Sequence, residues 1–202
     1  MTSIISLPKS FSTPQSLHAT ALRFKALRLH ALKSAPYAFS STHAEEAAFG
    51  DETWHSRLTS PDSKTFVAVA PSTADNDDRQ WLGLITVIGP FSPLQAAIFL
   101  HADDAARKFL AAEPTTSCYV LVSFFVDASA RGTGLGTGLI TAAQEYIASS
   151  SPVGAVAALS AYKSNVSALC LYDRLGFKPI GHDKRGDELV LAKATDKDYK
   201  CN

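Results

Sequence analysis

Residues 120–139 read VLVSFFVDASARGTGLGTGL, and the rest of the chain is organised around this stretch. Residues 120–126 are almost all apolar, which predicts a buried strand. A glycine-rich turn follows at 131–136, and apolar residues then recur at helical spacing. The first N–H groups of a helix lack intrahelical partners and carry the positive end of the helix dipole. A strand that leads through glycines into a helix therefore predicts a site for an anion such as a phosphate.

Two familiar phosphate-binding loops do not fit this turn. A P-loop closes its glycine run with Gly-Lys-Ser/Thr, whereas Gly136 is followed here by Thr137 and Gly138. A dinucleotide-binding loop needs a third Gly or Ala three residues after its second glycine. That position is Thr137 or Leu139, depending on which glycine pair starts the motif. Neither kind of loop is therefore indicated.

The pattern that does fit is Arg-x-x-Gly-x-Gly, formed by Arg131, Gly134 and Gly136. It resembles the pyrophosphate-binding loop of the GNAT superfamily, the acetyl-CoA-dependent N-acetyltransferases. Residues 165–177, NVSALCLYDRLGF, resemble the second signature of that family. The two signatures stand in the family's order, with one predicted strand between them, and together they cover residues 120–181.

The resemblance implies an α/β fold of the mixed α+β kind, the GNAT fold. Such a fold has a mixed, mostly antiparallel sheet of about six or seven strands, flanked by helices. Periodicity and turn signals along the chain predict the same order of elements. The expected strands cover residues 4–7, 65–70, 81–88, 120–126, 153–160, 177–181 and 188–192. The expected helices begin near Pro14, Thr42, Asp51, Gln95, Leu135 and Asn165.

The length of 202 residues fits one domain, and we expect residues 1–202 to form a single N-acetyltransferase domain. Residues 91–116 exceed the length of common loops and are interpreted as an insertion between the third and fourth strands, with a helix over 95–112. Two interpretations of the insertion are open at this point. Its helix either adds to the core or forms a wall or lid over the acceptor site. Residues 193–202 are expected to form a frayed tail.

Composition argues against several classes of partner. With 19 basic and 19 acidic residues the net charge is zero, so nothing favours a nucleic-acid or membrane partner. No apolar run reaches the roughly 18 residues of a spanning helix. The 3 cysteines lack regular spacing, which argues against a disulfide framework or a metal site and fits a reducing, cytoplasmic location. No acidic residue precedes Glu45, and a mitochondrial presequence would show the same lack of acidic residues. We nevertheless interpret residues 1–44 as the first strand and helix of the domain.

The resemblance assigns roles to residues of the first signature. Backbone groups of the loop would hold the pyrophosphate of acetyl-CoA, the expected co-substrate. The loop residues concerned are Arg131, Gly132, Thr133, Gly134, Leu135, Gly136 and Thr137. The backbone near Phe124 and Val126 would bind the pantetheine arm like an added strand, and one of its N–H groups would polarise the thioester carbonyl.

Asn165 and Tyr172 of the second signature are two helical turns apart, so they share a face of the predicted helix. The resemblance implies that Asn165 hydrogen-bonds the pantetheine arm. It also implies that Tyr172 is the catalytic residue that protonates or hydrogen-bonds the departing thiolate. The residues by themselves allow Asn165 to be only an N-cap and Tyr172 only a core residue, so both interpretations are open.

The general base is not evident from the sequence. Histone-acetylating relatives carry a Glu on the central strand, and the matching position here is Val120. Its neighbours on that face, Cys118 and Val122, supply no carboxylate either. The proton of the amine then passes to ordered water or to a residue of another element. The candidates for such a residue are Glu45, Glu46, His101 and Ser123.

We therefore expect an acyltransferase that moves the acetyl group of acetyl-CoA to a primary amine by direct attack in a ternary complex. The acceptor would be a small-molecule amine or a peptide amine, and the protein a monomer or homodimer without a metal. The alternatives are transfer of a longer acyl group, acetylation of protein N-termini or lysines, and a non-catalytic CoA-binding sensor on the same fold. The intact motif residues Gly134, Gly136, Asn165 and Tyr172 argue against the sensor.

Overall fold

The structure is a computed structural model that describes residues 2–71, 79–112, 117–151 and 154–195. Its strands are β1 Ser3–Ser6, β2 Ser63–Val69, β3 Trp81–Phe91, β4 Cys118–Val126, β5 Ala155–Tyr162, β6 Lys178–His182 and β7 Glu188–Thr195. Its α-helices are α1 Pro14–Ser34, α2 His43–Ala47, α3 Asp51–Thr59, α4 Pro93–Phe99, α5 Asp104–Ala112, α6 Leu135–Ser150 and α7 Val166–Arg174. Short 3₁₀ turns cover Pro36–Ala38 and Ala128–Ala130.

The strands form a seven-stranded sheet in the order β1-β2-β3-β4-β5-β7-β6. β1 pairs with β2 in antiparallel fashion, and β7 does so with both β5 and β6. β4 and β5 pair in parallel, with Cys118 opposite Val156 and Val120 opposite Ala158. This mixed, mostly antiparallel sheet flanked by helices confirms the expected fold class.

The chain divides into two compact units. The first unit holds Met1–Thr86 and Ser123–Ala142, and the second holds Val87–Val122 and Ala143–Asn202. Strands β3 and β4 and helix α6 each contribute residues to both units. A single domain over the whole chain stays a prediction.

Helix α1 supplies much of the core of the first unit. Its N-terminus is capped by Thr13, whose Oγ1 accepts the Ser16 N–H at 3.1 Å. Pro14 occupies the first turn, where a missing N–H costs no hydrogen bond. The larger buried residues of this core are Phe24, Leu27, Trp54, Leu58, Val67, Val69, Leu84 and Phe125.

A buried charge cluster joins α1, α2 and α3 in the same unit. Glu46 is 1% exposed, and its carboxylate pairs with Arg28 Nη2 and with Arg57 Nη1, each at 2.7 Å. Burial by itself would raise the pKa of Glu46, but the hydrogen bonds and charges of both guanidinium groups outweigh it and lower that pKa. Because a buried carboxylate is tolerated only when it is paired, the cluster ties the positions of the three helices together.

The insertion folds as two helices, α4 and α5, so the expectation of one helix over 95–112 is wrong. His101 separates the two helices with a φ of 49°, and its carbonyl accepts a backbone N–H from the turn after β6 at 2.8 Å. Asp103 then caps α5, because its Oδ1 accepts the Ala106 N–H at 2.9 Å. Its Oδ2 accepts the His182 N–H of β6 at 3.0 Å. Contacts with β6 thus hold the backbone in the conformation that breaks the helix.

The insertion packs on one face of the sheet within the second unit. Its buried residues Ala96, Ala97, Leu100, Ala106 and Leu110 share a core cluster with Cys118, Val120, Val156, Val190 and Ala192. Lys193 faces the other way, because side chains alternate along a strand. Lys193 Nζ donates to the Leu175 carbonyl at the end of α7 at 2.8 Å. The insertion and the end of α7 therefore lie on opposite faces of β7, which favours the core interpretation and argues against a wall beside Tyr172.

Two strands run further than expected. β3 continues through Gly89-Pro90, a cis peptide, to Phe91 instead of ending at the Gly-Pro pair. A Cβ on Gly89 would lie 2.8 Å from the Cys118 carbonyl oxygen, so the close approach of β4 requires glycine there. β7 reaches Thr195 and takes in the start of the expected tail. Residues 196–202 lie outside the described residues.

Candidate functional site

The loop after β4 is tied to the end of that strand. The Asp127 N–H donates to the Leu82 carbonyl at 2.7 Å, and Asp127 Oδ1 accepts the Ser129 N–H at 2.9 Å. Arg131 folds back, and its Nε donates to the Val126 carbonyl at 3.1 Å. The side chain of Arg131 thus fixes the loop against the strand.

The glycines of the loop face open space. Gly132 and Gly134 have φ values of 79° and 86°, a region that residues with a Cβ rarely adopt. A Cβ on either glycine would meet no atom within 4 Å. Thr133, which lies between them, donates its hydroxyl to the Ala130 carbonyl at 2.7 Å. The loop therefore offers backbone to a ligand at close range.

Helix α6 begins directly at this loop. Its first intrahelical hydrogen bond runs from the Gly138 N–H to the Gly134 carbonyl at 2.9 Å. The N–H groups of Leu135, Gly136 and Thr137 consequently have no acceptor within the helix. Leu135 is buried and anchors the first turn. Three amides at the positive end of a 16-residue helix, next to an open glycine turn, match the geometry of an anion site.

Strand β4 changes character at Ser123. Among the described residues, its parallel ladder with β5 ends at Val120, and Ser123 has a φ of 57°. A left-handed residue interrupts the alternation of side chains along a strand. Phe125 accordingly enters the core and is 4% exposed, whereas Phe124 and Val126 are half-buried. Phe125 therefore packs in the core, whereas Phe124 and Val126, which are assigned to the pantetheine arm, are less deeply buried.

Asn165, in the second unit, is the N-cap of α7. Its Oδ1 accepts the Ala168 N–H at 3.4 Å, as the capping interpretation predicts. The cap uses the amide oxygen and leaves the two N–H bonds of the side-chain amide as donors. The capping role and a role toward a ligand are therefore compatible.

Tyr172 is buried on α7, with 6% of its surface exposed. Its ring lies edge-on to that of Phe177, with centroids 6.0 Å apart. Burial raises the pKa of Tyr172 far above its ordinary value, because the phenolate would be desolvated. The group is thus held as a phenol, which donates a hydrogen bond and does not act as a base.

Two of the expected base candidates are committed to other contacts. Glu45 accepts the Thr42 N–H at 2.8 Å in the capping box of α2, and this bond lowers its pKa. Glu46 is the buried partner of two arginines. His101 is exposed at the helix break of the insertion, and Ser123 lies at the irregular position of β4. The geometry gives none of the four a proton-accepting role.

A His–Asp pair in the first unit is absent from the sequence-based list. His30 Nε2 lies 2.7 Å from Asp127 Oδ2, and the His30 ring stands edge-on to Phe125 at 5.7 Å. The pair borders a cavity of about 370 Å³. The lining residues are Arg23, Ala26, Leu27, His30, Arg79, Gln80, Trp81 and Asp127. Helical spacing puts the α1 members on one face, but no local signal reveals a partner 97 residues away.

The described residues contain neither a candidate metal site nor a candidate membrane-spanning helix. Within 2–71, 79–112, 117–151 and 154–195, no group of three or more His, Cys, Asp or Glu side chains is arranged to hold a metal ion. In the same part of the chain, no helix combines the length and the apolar character needed to cross a membrane.

Known proteins give an independent view of the fold. NAA60 from Arabidopsis thaliana, solved in complex with acetyl-CoA, is 14% identical with a TM-score of 0.60, over 96% of this chain and 97% of that one. The ribosomal-protein-S18-alanine N-acetyltransferase from Escherichia coli is 15% identical with a TM-score of 0.54, over 100% of both chains. An acetyltransferase of the GNAT family from Streptococcus pneumoniae is 15% identical with a TM-score of 0.60, over 96% of this chain and 100% of that one. At such identities the likeness establishes the fold.

Comparison of the sequence with family models is consistent with the fold of these solved structures. No curated protein matches the chain. The family model described as acetyltransferase (GNAT) domain matches residues 95–179, a range that contains both signatures. The sheet order and the strand–loop–helix geometry agree with that match. Residues 95–179 therefore match the GNAT acetyltransferase domain family, and the chain has the fold of the GNAT acetyltransferases to which it is similar.

Proposed function

We propose that the protein is an N-acetyltransferase that transfers the acetyl group of acetyl-CoA to a primary amine by direct attack in a ternary complex. The observation that carries this proposal is the open loop at the start of α6. Gly132 and Gly134 leave room for close approach, and three helix N-terminal amides have no intrahelical acceptor. A pyrophosphate is the anion that this arrangement and the family both favour.

Residues 131–137 hold the pyrophosphate in this proposal, mainly through their backbone. The backbone of Phe124 and Val126 binds the pantetheine arm, which suits the irregular end of β4 after Ser123. Asn165 contributes its side-chain amide N–H, since its oxygen caps α7.

Acetyl-CoA supplies the acetyl group as an activated thioester. The amine loses a proton, and its lone pair attacks the carbonyl carbon. The carbon–sulfur bond then breaks, and the sulfur leaves with the electron pair. Tyr172 hydrogen-bonds or protonates this thiolate through its O–H, a role that fits a phenol whose pKa burial keeps high. The second proton of the acylated amine ends on the thiolate, either directly or by restoring the phenol. The backbone N–H near Phe124 or Val126 stabilises the developing oxyanion.

A peptide acceptor is a second candidate. One of the proteins with this fold is named as a ribosomal-protein-S18-alanine N-acetyltransferase, so an alanine of a protein is an acceptor for an enzyme of this fold. A cytoplasmic location and a monomeric or homodimeric state stay predictions.

Thiol release from acetyl-CoA tests the proposal. The assay would run the purified protein against polyamines, amino acids, amino sugars, aminoglycosides and peptides, with calorimetry of CoA binding in parallel. We expect release above the hydrolysis background with at least one class of amine. Binding without release for any amine would identify a sensor. Absence of CoA binding would contradict the assignment of the loop.

A further inference from the structure

Asp127 holds the start of the loop that we propose binds the pyrophosphate. Its N–H donates to the Leu82 carbonyl at 2.7 Å, and its own carbonyl accepts the Ala130 N–H at 2.9 Å. Asp127 Oδ1 accepts both the N–H and the hydroxyl of Ser129, at 2.9 and 2.5 Å. Oδ2 lies 2.7 Å from His30 Nε2. Every polar group of Asp127 is therefore bonded, and all of these partners belong to the first unit.

The constraint at Asp127 reaches the glycine turn through Ala130. The side chain of Ala130 is buried, its N–H bonds to Asp127, and its carbonyl accepts the Thr133 hydroxyl at 2.7 Å. Thr133 lies between Gly132 and Gly134, where an added Cβ would meet no atom within 4 Å. Since no atom of the described residues packs there, the placement of both glycines depends largely on these hydrogen bonds.

His30 links the loop to helix α1. Its neighbours on that helix, Leu27 and Ala31, are 7% and 0% exposed, so core packing fixes the helix backbone beside it. The His30 ring stands edge-on to Phe125, with centroids 5.7 Å apart. The ring therefore reaches Asp127 from a rigid support.

The proton of this pair lies on the histidine. Hydrogen bonds from the Ser129 hydroxyl and N–H, together with His30, lower the pKa of Asp127 to about 2. Asp127 is thus a carboxylate at neutral pH and can only accept, so His30 Nε2 carries the proton that it donates. The bond persists when His30 takes up a second proton, because Nε2 still donates, and the positive charge then strengthens it.

We propose that Asp127 and His30 are positioning residues of the cofactor loop, which fix its first turn so that the glycines and the first amides of α6 are preorganised for a pyrophosphate. The inference rests on the proposed function and adds two residues that act through the loop and not by contact with the ligand. A loop that is ordered in advance loses less conformational entropy on binding. Removal of the pair should therefore weaken the binding of CoA and leave that of the acceptor amine unchanged.

Calorimetry of CoA binding to Asp127→Ala and His30→Ala tests the two residues. Ordering one backbone residue corresponds to roughly a five- to thirtyfold change in an equilibrium constant, and we expect the Kd of Asp127→Ala to rise by that factor. His30→Ala removes one hydrogen bond of the carboxylate, so we expect a rise of roughly two- to tenfold. In steady-state kinetics the KM for acetyl-CoA should rise in parallel, whereas the KM for the acceptor should not.

Two matched variants are the controls. Asp183 also caps a turn, between β6 and β7, where its Oδ1 accepts the Glu188 N–H at 2.9 Å and its Oδ2 accepts the Arg185 N–H at 3.2 Å. His18 lies on α1, with Nδ1 3.3 Å from His55 Nε2. Asp183→Ala and His18→Ala remove comparable contacts outside the loop, so the Kd for CoA should stay unchanged in both.

A double-mutant cycle shows whether His30 acts through Asp127. In the Asp127→Ala background the acceptor of the His30 N–H is gone, so His30→Ala should cause no further loss of affinity. The double variant should therefore bind CoA as Asp127→Ala does. Additive effects of the two substitutions would overturn the positioning role of His30.

Asp127→Asn should give a pH dependence that a general loss of stability would not give. The amide oxygen still accepts from Ser129, but the NH₂ group replaces Oδ2 as the partner of His30. A neutral ring adapts by changing its tautomer so that Nε2 accepts, whereas a protonated ring has two donors and no acceptor. We therefore expect nearly wild-type CoA affinity at about pH 8 and weaker affinity than that of the wild type at about pH 5.5.

Effects that both proteins share cancel in the ratio of their Kd values. They include the titration of the CoA phosphates and the charges of Arg23 and Arg79, which line the same cavity as His30 and Asp127. The ratio of the variant Kd to the wild-type Kd should rise by roughly two- to tenfold as the pH falls. A ratio that is the same at every pH would overturn the role assigned to His30.

The outcomes separate this inference from the proposed function. Absence of CoA binding to the wild type would contradict the proposed function. Binding to the wild type with an unchanged Kd in Asp127→Ala would overturn the inference alone. A rise only in the KM for the acceptor would assign the pair to the acceptor site and would also overturn it. Circular dichroism checks the folding of each variant, and if Asp127→Ala does not fold, His30→Ala and Asp127→Asn decide the question.

Discussion

Tyr172 combines two properties that are usually separate. Its ring packs in a core against Phe177, and its phenol is the proposed proton donor in the transfer reaction. Burial shifts the pKa of the hydroxyl upward, so it stays protonated through the whole working range of an enzyme. The two interpretations allowed by the sequence, core residue and donor, therefore need not compete.

Replacing Tyr172 by Phe separates the two roles, because the ring stays and only the O–H is lost. We expect the single-turnover rate to fall by at least about tenfold, since general acid help is typically worth about 10²–10⁴ in rate. CoA affinity should be nearly unchanged. Rapid-quench measurement of acetyl transfer checks the rate, and calorimetry checks the affinity. A full single-turnover rate in the variant would show that Tyr172 only packs.

Gly134 allows a controlled test of the loop, because another glycine of the chain has a similar backbone conformation and surroundings. Gly134→Asp adds a Cβ and a negative charge in front of the loop amides, so we expect CoA binding to be lost. The control is Gly186→Asp in the turn between β6 and β7. Gly186 has a φ of 80° and the same open surroundings, so the backbone strain is comparable. Calorimetry should show unchanged CoA affinity in the control, and retained affinity in Gly134→Asp would contradict the loop assignment.

At the scale of elements, the packing of α1, α2 and α3 against one another depends on one buried carboxylate, that of Glu46. Glu46 is buried and forms ion pairs with Arg28 and Arg57. Its replacement by a neutral residue therefore leaves two guanidinium groups without their counterion. Arg28 is itself only 6% exposed, which makes the loss costly.

We therefore expect Glu46→Gln to lower the free energy of unfolding by about 3–5 kcal/mol at neutral pH. The folded-state pKa of Glu46 lies below its ordinary value, so its contribution is present above that ordinary value. It is lost as the pH falls through the folded-state pKa, and the difference between wild type and variant should shrink there. Urea unfolding at a series of pH values measures this, with the exposed Glu52→Gln of α3 as the control. A pH-independent difference would contradict the ionic account.

At the scale of the whole molecule, binding of acetyl-CoA should stabilise the fold by mass action. A ligand present at a hundredfold its dissociation constant adds about 2.7 kcal/mol to the free energy of unfolding if it binds only the folded state. Thermal or urea unfolding with and without acetyl-CoA measures this increment. Gly134→Asp should show no increment while Gly186→Asp shows the full one. An equal increment in both would place the cofactor away from the loop.

The sequence by itself determined the features that depend on neighbours along the chain. Glycine patterning predicted the turn at 131–136, because only residues without a Cβ adopt its positive φ values readily. Capping patterns at Thr13 and Thr42 predicted two helix starts, since a side chain there satisfies an N–H three residues on. The element order followed from these local signals and from periodicity, and the resemblance to the GNAT family followed from the two signature motifs.

Only the tertiary structure decided which distant side chains meet. The two helices of the insertion exist because Asp103 and the residues beside it bond β6, a contact that no helical periodicity reveals. Glu46 is an ion-pair partner and not a base because α1 and α3 bring arginines to it. His30 acquires Asp127 from 97 residues away, and with it a cavity. Local conformation is governed by the backbone and adjacent side chains, whereas such pairs arise only when the sheet and helices have packed.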